Sequence, residues 1–123
     1  MTRIRIIFGI GMVVLAALQA SGARAWEVYD HSSPYDTETV DHNPGRMQIY
    51  FTDPVAFRSV TMTDTAGRNV PVKFGKPEDD TTSIEIWLPA DLGPDTYTLT
   101  WNAYVTSHGH ADSGEIHFTI RAQ

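Results

Sequence analysis

An all-β domain is what the sequence predicts: a single seven-stranded antiparallel β-sandwich of the immunoglobulin type, with Greek-key connections, placed after a signal peptide. Three observations predict it. Apolar and polar residues alternate with period two along short runs, the mark of half-buried strands. Segments rich in Gly, Pro, Asp and Asn separate those runs. No stretch after residue 25 sustains the 3.6-residue period of a helix.

Residues 1–25 read as an export signal. Arg3 and Arg5 give a basic start, Ile6 to Ala20 is almost wholly apolar, and Ala23 and Ala25 fill the small-residue positions of a cleavage site. The apolar run is about fifteen residues, short of the roughly 20 that a membrane-spanning helix requires, so no retained anchor is expected. Cleavage after Ala25 starts the mature domain, residues 26–123, at Trp26; cleavage after Ala23 is the alternative.

Trp26 to Ser32 forms the opening strand. "RMQIYF" (46–51) turns Met47, Ile49 and Phe51 to one face, and "SVTM" (59–62) does so with Val60 and Met62. "VPVKF" (70–74) offers Val70, Val72 and Phe74, and "SIEIWL" (83–88) offers Ile84, Ile86 and Leu88. "TYTLTWNAYV" (96–105) alternates from Tyr97 through Leu99, Trp101 and Ala103 to Val105, and "EIHFTI" (115–120) supplies Ile116, Phe118 and Ile120. "DHNPGR", "TDPVA", "DTAGRN", "FGKPEDDTT", "PADLGPDT" and "SHGHADSG" read as the intervening loops.

Composition narrows the chemistry. Losing Arg3, Arg5 and Arg24 with the signal leaves six basic residues against fifteen acidic ones, a formal charge of −9, so nucleic acid is not expected as a partner. The chain has no cysteine, which excludes disulfides, thiolate metal sites and cysteine nucleophiles. A domain of about 100 residues can fold on packing alone. Any metal must then be held by nitrogen and oxygen donors, or by methionine. Ser107 adjoins His108, yet neighbours in an extended chain point opposite ways and no glycine-flanked nucleophile turn is present, so an enzyme is not expected.

"TSHGHADSG" (106–114) holds the chemistry-bearing pair. Residues two apart in an extended segment project to the same side, so His108 and His110 can converge on one ion at the ~2.0 Å that imidazole ligation requires. Nitrogen donors suit Cu(II) and Zn(II) better than Mg or Ca. The other reading is two exposed histidines in a glycine turn. Because successive antiparallel strands alternate direction, the loops after the second, fourth and sixth strands return to the end where the chain starts. That end should gather the Trp26 amine, Asp53, the acidic run Glu78, Asp79 and Asp80, and His108 with His110. His42 belongs to the opposite end, His31 lies too far down the first strand, and His117 faces outward from the last.

Several stretches, in order and spacing, resemble the CopC-like periplasmic copper-resistance proteins: "SSP" (32–34), "IYFTDPV" (49–55), "TAGRNV" (65–70), "LGPDTYTLTW" (92–101) and "SHGHADSGEIHFTI" (107–120). The resemblance covers essentially the whole mature chain, and its last third is the most specific part. It implies a small β-sandwich that binds Cu(II) in the periplasm and holds it or hands it on, with an inner-membrane copper transporter or another periplasmic copper protein as partner. The family's ligands are an N-terminal histidine, through amine and side chain, and an aspartate and a histidine in the loop before the last strand. Carried onto this chain, the loop histidine is His110, the aspartate position holds His108, and the N-terminal position holds Trp26, whose amine can still ligate. Zinc ranks behind copper at such a site. The methionine-rich loop that many members use for Cu(I) is missing: Met47 and Met62, the only methionines after residue 25, read as core. A metal-free interaction module, with a decayed copper site and contacts through Trp26 or Tyr104, is the competing expectation.

Overall fold

The computed structural model describes residues 28–122. The stretch expected to be an export signal, residues 1–25, and Trp26 lie outside the described residues. Eight strands follow in order: β1 (Tyr29–Ser33), β2 (Glu38–Val40), β3 (Arg46–Thr63), β4 (Asn69–Val70), β5 (Lys73–Phe74), β6 (Thr81–Trp87), β7 (Asp95–Val105) and β8 (His110–Ile120). They make two sheets that share β3. In one, β1 and β6 flank the leading part of β3 and β5 extends β6. In the other, β4 and β7 pair with the trailing part of β3, β8 pairs with β7, and β2 closes the edge beside β8. The all-β class holds.

Four details differ from the sequence reading; in one, the predicted strand 70–74 is split around Pro71, β4 pairing with β3 in one sheet and β5 with β6 in the other, and the other three each have a physical reason. The second and third predicted strands are one: β3 pairs with β6 from Arg46 to Tyr50, meets Thr81 at Val55, and pairs with β7 from Ala56 to Thr63. "TDPVA" looks like a loop because it holds Asp53 and Pro54. Pro54 falls in the gap where the β3–β6 register shifts, and a residue without an N–H is tolerated where a strand leaves its ladder. Second, β2 pairs in parallel with β8, and its three residues are too few to show alternation. Third, β8 begins at His110, so the segment after β7 is a tight hairpin rather than a long loop.

Alternation fills the core as expected. Met47 and Met62 are fully buried, as are Ile49, Leu99, Ile116 and Phe118. Trp101 is the largest fully buried side chain; Phe51 meets it edge-on, with ring centroids 5.3 Å apart. Directly across the ladder from Trp101 stands Gly114. A Cβ there would lie 2.9 Å from the indole Nε1, so the glycine is the space in which the large ring sits.

Side-chain hydrogen bonds pin the far turns. Tyr97 Oη donates to the Gly93 carbonyl at 2.7 Å, a bond that closes the turn into β7 as tyrosine corners do in Greek-key sandwiches. Burial, followed by the nearby Asp95 and Asp64 carboxylates, pushes the Tyr97 hydroxyl up, which keeps it the donor. Asp95 ties the same turn to the end of β3. It accepts from Thr65 Oγ1 at 2.6 Å and from the Thr96 N–H at 2.7 Å, and these bonds hold its carboxyl below the ordinary carboxylate value.

Two stability measurements follow. Gly114→Ala is expected to cost about 1–3 kcal/mol in urea unfolding, because the methyl group overpacks the indole. Thr65→Val removes the main support of the Asp95 carboxylate. A carboxyl depressed in the folded state stabilises above its unfolded value of about 3.9. The stability gap between the natural protein and Thr65→Val should therefore be constant near neutral pH and close as pH falls through the folded value of Asp95.

Candidate metal centre

Four segments meet where β3 changes sheets. Val28 precedes β1, Asp53 lies at the crossing, Asp80 precedes β6, and Thr106 to Gly109 turn the chain from β7 into β8. The turn is closed by the Val105 carbonyl, which accepts from the His108 N–H at 3.1 Å and the Gly109 N–H at 2.8 Å. Gly109 has φ of +73°, the left-handed conformation that lets the chain re-enter the ladder at His110.

That geometry brings the two histidines side by side. Their ring centroids are 5.6 Å apart with planes at 49°, a spacing from which one nitrogen of each can meet an ion at about 2.0 Å. His108 Nε2 lies 3.2 Å from Asp53 Oδ2, with both side chains more than a third exposed. His110 Nδ1 is 3.0 Å from the Ala111 carbonyl, an acceptor only, so a hydrogen bond between them places a proton on Nδ1. The acidic run reaches the same end: Thr106 Oγ1 donates to Asp80 Oδ2 at 2.6 Å. Among the described residues, no three His, Asp or Glu side chains converge closely enough to hold an ion.

The remaining histidines stand elsewhere. His31 stacks on Tyr50 with centroids 4.4 Å apart and meets Asp30 at 3.0 Å. His42 is in the β2–β3 connection, where the neighbouring Asn43 donates to the Pro89 carbonyl beyond β6, the end opposite Asp80. His117 does not simply face solvent: its Nδ1 is 3.2 Å from Asp36, and its backbone N–H donates to the same carboxylate at 2.8 Å. It is a tie between β8 and the chain before β2.

Sequence reasoning missed Asp112. This carboxylate is 7% exposed; Oδ2 accepts the Val28 N–H at 3.1 Å and Oδ1 accepts the Ser113 N–H at 3.0 Å. The signal was present in the phase of β8, since Asp112 is in step with Gly114, Ile116, Phe118 and Ile120, all inward. A charged residue on the inward phase must find hydrogen bonds there.

A family model described as the CopC domain matches residues 29–121. The chain belongs to the CopC family. Among solved structures, CopC from Methylosinus trichosporium OB3b is similar, with a TM-score of 0.68 and 21% identity over 78% of this chain and 94% of that one. PcoC, described as a methionine-rich copper resistance protein from Escherichia coli, is similar with a TM-score of 0.64 and 24% identity over 76% of this chain and 97% of that one. At these identities the likeness is one of fold. Comparison with curated proteins finds no match. Within the CopC fold, the hairpin of His108 and His110 lies at the sheet-crossing end, beside the start of β1.

Proposed function

We propose that this CopC-family chain is a periplasmic copper-binding protein, not an enzyme, which holds or delivers Cu(II) through His108, His110 and the amine that cleavage after Ala25 would create on Trp26. The observation that carries the reading is the side-by-side placement of the two imidazoles at the end where β1 begins. Family membership supports a copper-related function. The donor chemistry supports Cu(II) over Mg or Ca and places zinc second. Two side chains alone make a thin site, and the amine completes a three-nitrogen set. Asp53 fits the part of a carboxylate that orients a ligating imidazole, since its Oδ2 lies 3.2 Å from His108 Nε2. The cargo passes to an inner-membrane copper transporter or another periplasmic copper protein. Both methionines of the described residues are sealed in the core, which argues against a thioether Cu(I) site.

One observation favours the competing reading of a metal-free interaction module: the described residues hold no preassembled three-ligand group. Copper titration separates the two. Correctly processed protein should bind one Cu(II), as read by intact mass, with nitrogen hyperfine structure in its paramagnetic resonance. His110→Ala should weaken binding roughly tenfold or more, and Asp53→Asn by about tenfold. Affinity no tighter than that of free histidine ends the copper reading in favour of the interaction module.

A further inference from the structure

A groove lies apart from the histidine hairpin, on the sheet of β1, β3, β6 and β5. Trp87 ends β6 and pairs across the ladder with Arg46 of β3 on one side and Lys73 of β5 on the other. Side chains directly opposite one another leave the same face of a sheet, so the three form one row, cation, indole, cation. Trp87 is 48% exposed and, with Tyr35, is one of two large apolar side chains that stand open among the described residues. Beside it Pro71, Lys73, Leu88 and Pro89 complete a groove of about 340 Å³.

Single exposed apolar side chains are ordinary, but this one is held in place by its surroundings. The Arg46 guanidinium carbon lies 5.6 Å from the indole centroid, and Glu85 holds that guanidinium at 2.8 Å, so the ring is fixed by a cation that is itself fixed. Leu88 is buried in the core, and its N–H donates to the Gly45 carbonyl at 2.9 Å. Asn43 donates to the Pro89 carbonyl at 2.9 Å and to that of Ala90 at 3.2 Å. Pro71 lines the groove where the chain passes from β4 in one sheet to β5 in the other. Walls of this kind lose little freedom when something docks on them.

Charge says what would dock. Six basic residues face fifteen acidic ones after residue 25, and most of the six are engaged. Arg46, Arg68 and Arg121 are paired with Glu85, Asp64 and Asp41, and Arg58 lies over the Tyr104 ring. Lys73 is exposed and makes neither an ion pair nor a hydrogen bond. An acidic chain thus keeps an unpaired ammonium at the rim of an apolar groove. We propose that this groove docks an extended acidic segment of a partner protein, which seats an apolar side chain against Trp87 and Pro71 and sets a carboxylate on Lys73. Trp and Arg are the side chains that most often carry interface energy. The negative charge of the rest of the molecule repels such a segment everywhere else, which confines it to the groove. A lipid surface is the poorer fit: a cation near anionic headgroups contributes about 1 kcal/mol, too little for one unpaired lysine to hold a domain this acidic. Along β3 the groove is roughly 20 Å from Asp53, so it is separate from the histidine hairpin and the inference does not depend on copper.

The experiment titrates the processed protein, without metal, with end-blocked probe peptides: Asp-Asp-Leu-Asp-Asp, the same peptide with asparagine for aspartate, and the same with lysine. The Trp87 indole N–H resonance reports the site, and the anisotropy of labelled peptide reports affinity. The acidic peptide should move that resonance, bind roughly fivefold or more tighter than the asparagine peptide, and weaken as salt is added. Trp87→Ala should weaken it by about tenfold. Lys73→Glu should reverse the preference, so that the lysine peptide binds and the acidic one does not. Both side chains are exposed, and unchanged amide spectra away from the groove show that the variants keep the fold. Equal binding of the three peptides, an unmoved Trp87 resonance at millimolar acidic peptide, or a Lys73→Glu variant that still prefers the acidic peptide overturns the proposal. Vesicles of phosphatidylglycerol and phosphatidylcholine are the last arm: if they broaden the Trp87 resonance while the acidic peptide leaves it unmoved, the groove faces lipid and the proposal is overturned.

Discussion

The passage of β3 from one sheet to the other is the constraint on which the molecule depends. A single strand of 18 residues pairs with β1 and β6 along its first part and with β4 and β7 along its last. Among the described residues no other strand belongs to both sheets, so the two layers are joined by hydrogen-bonded pairing where β3 crosses. Both apolar faces close on that strand: Met47, Ile49 and Phe51 before the crossing, and Val55, Phe57 and Met62 from it onward, are buried. A break there would leave two half-covered sheets of the kind that cannot stand alone in water.

The crossing also explains why chemistry collects where it does. A strand that leaves its ladder exposes backbone that other segments must satisfy. Val28 answers for Thr52, and Asp112 answers in turn for Val28. Asp53, carried outward by the bend, comes against His108, and Asp80 fastens the β7–β8 turn through Thr106. The charges at this end are exposed and paired loosely, so they cost little to rearrange.

Much of this was legible in the sequence. The alternating runs marked most of the core, from Met47 and Ile49 to Phe118 and Ile120, because a period of two admits one inward face; Val60, Val70, Val72 and Phe74 are only partly buried, and Val55 and Phe57 are core residues beside a predicted loop. Direction counting placed Asp53 and the acidic run at the histidine end, and both contacts are present. The fused strand was not legible, since Asp53 and Pro54 have the composition of a turn and only the partner strands reveal that the chain carries on. Nor was β2, whose pairing depends on the edge that β8 offers rather than on any pattern of its own. Asp112 was visible as a phase violation but was masked by the loop-like company of Ser113 and Gly114. His117 faces outward as its phase requires, but phase says nothing about a neighbouring segment, and its contact with Asp36 was not legible.

The β7–β8 hairpin has a further consequence, and it concerns time rather than binding. Eleven residue pairs, from Asp95↔Ile120 to Val105↔His110, zip from a turn of four residues, whereas the β1–β3 and β3–β7 pairings must close long stretches of chain. Local pairing of this kind forms on the scale of microseconds, and non-local pairing waits on loop closure. The turn that carries His108 thus closes the shortest loop of the second sheet's long pairings. Any replacement there that alters the left-handed Gly109 or the bonds to Val105 changes how fast the molecule reaches its folded state, quite apart from what it does to a ligand.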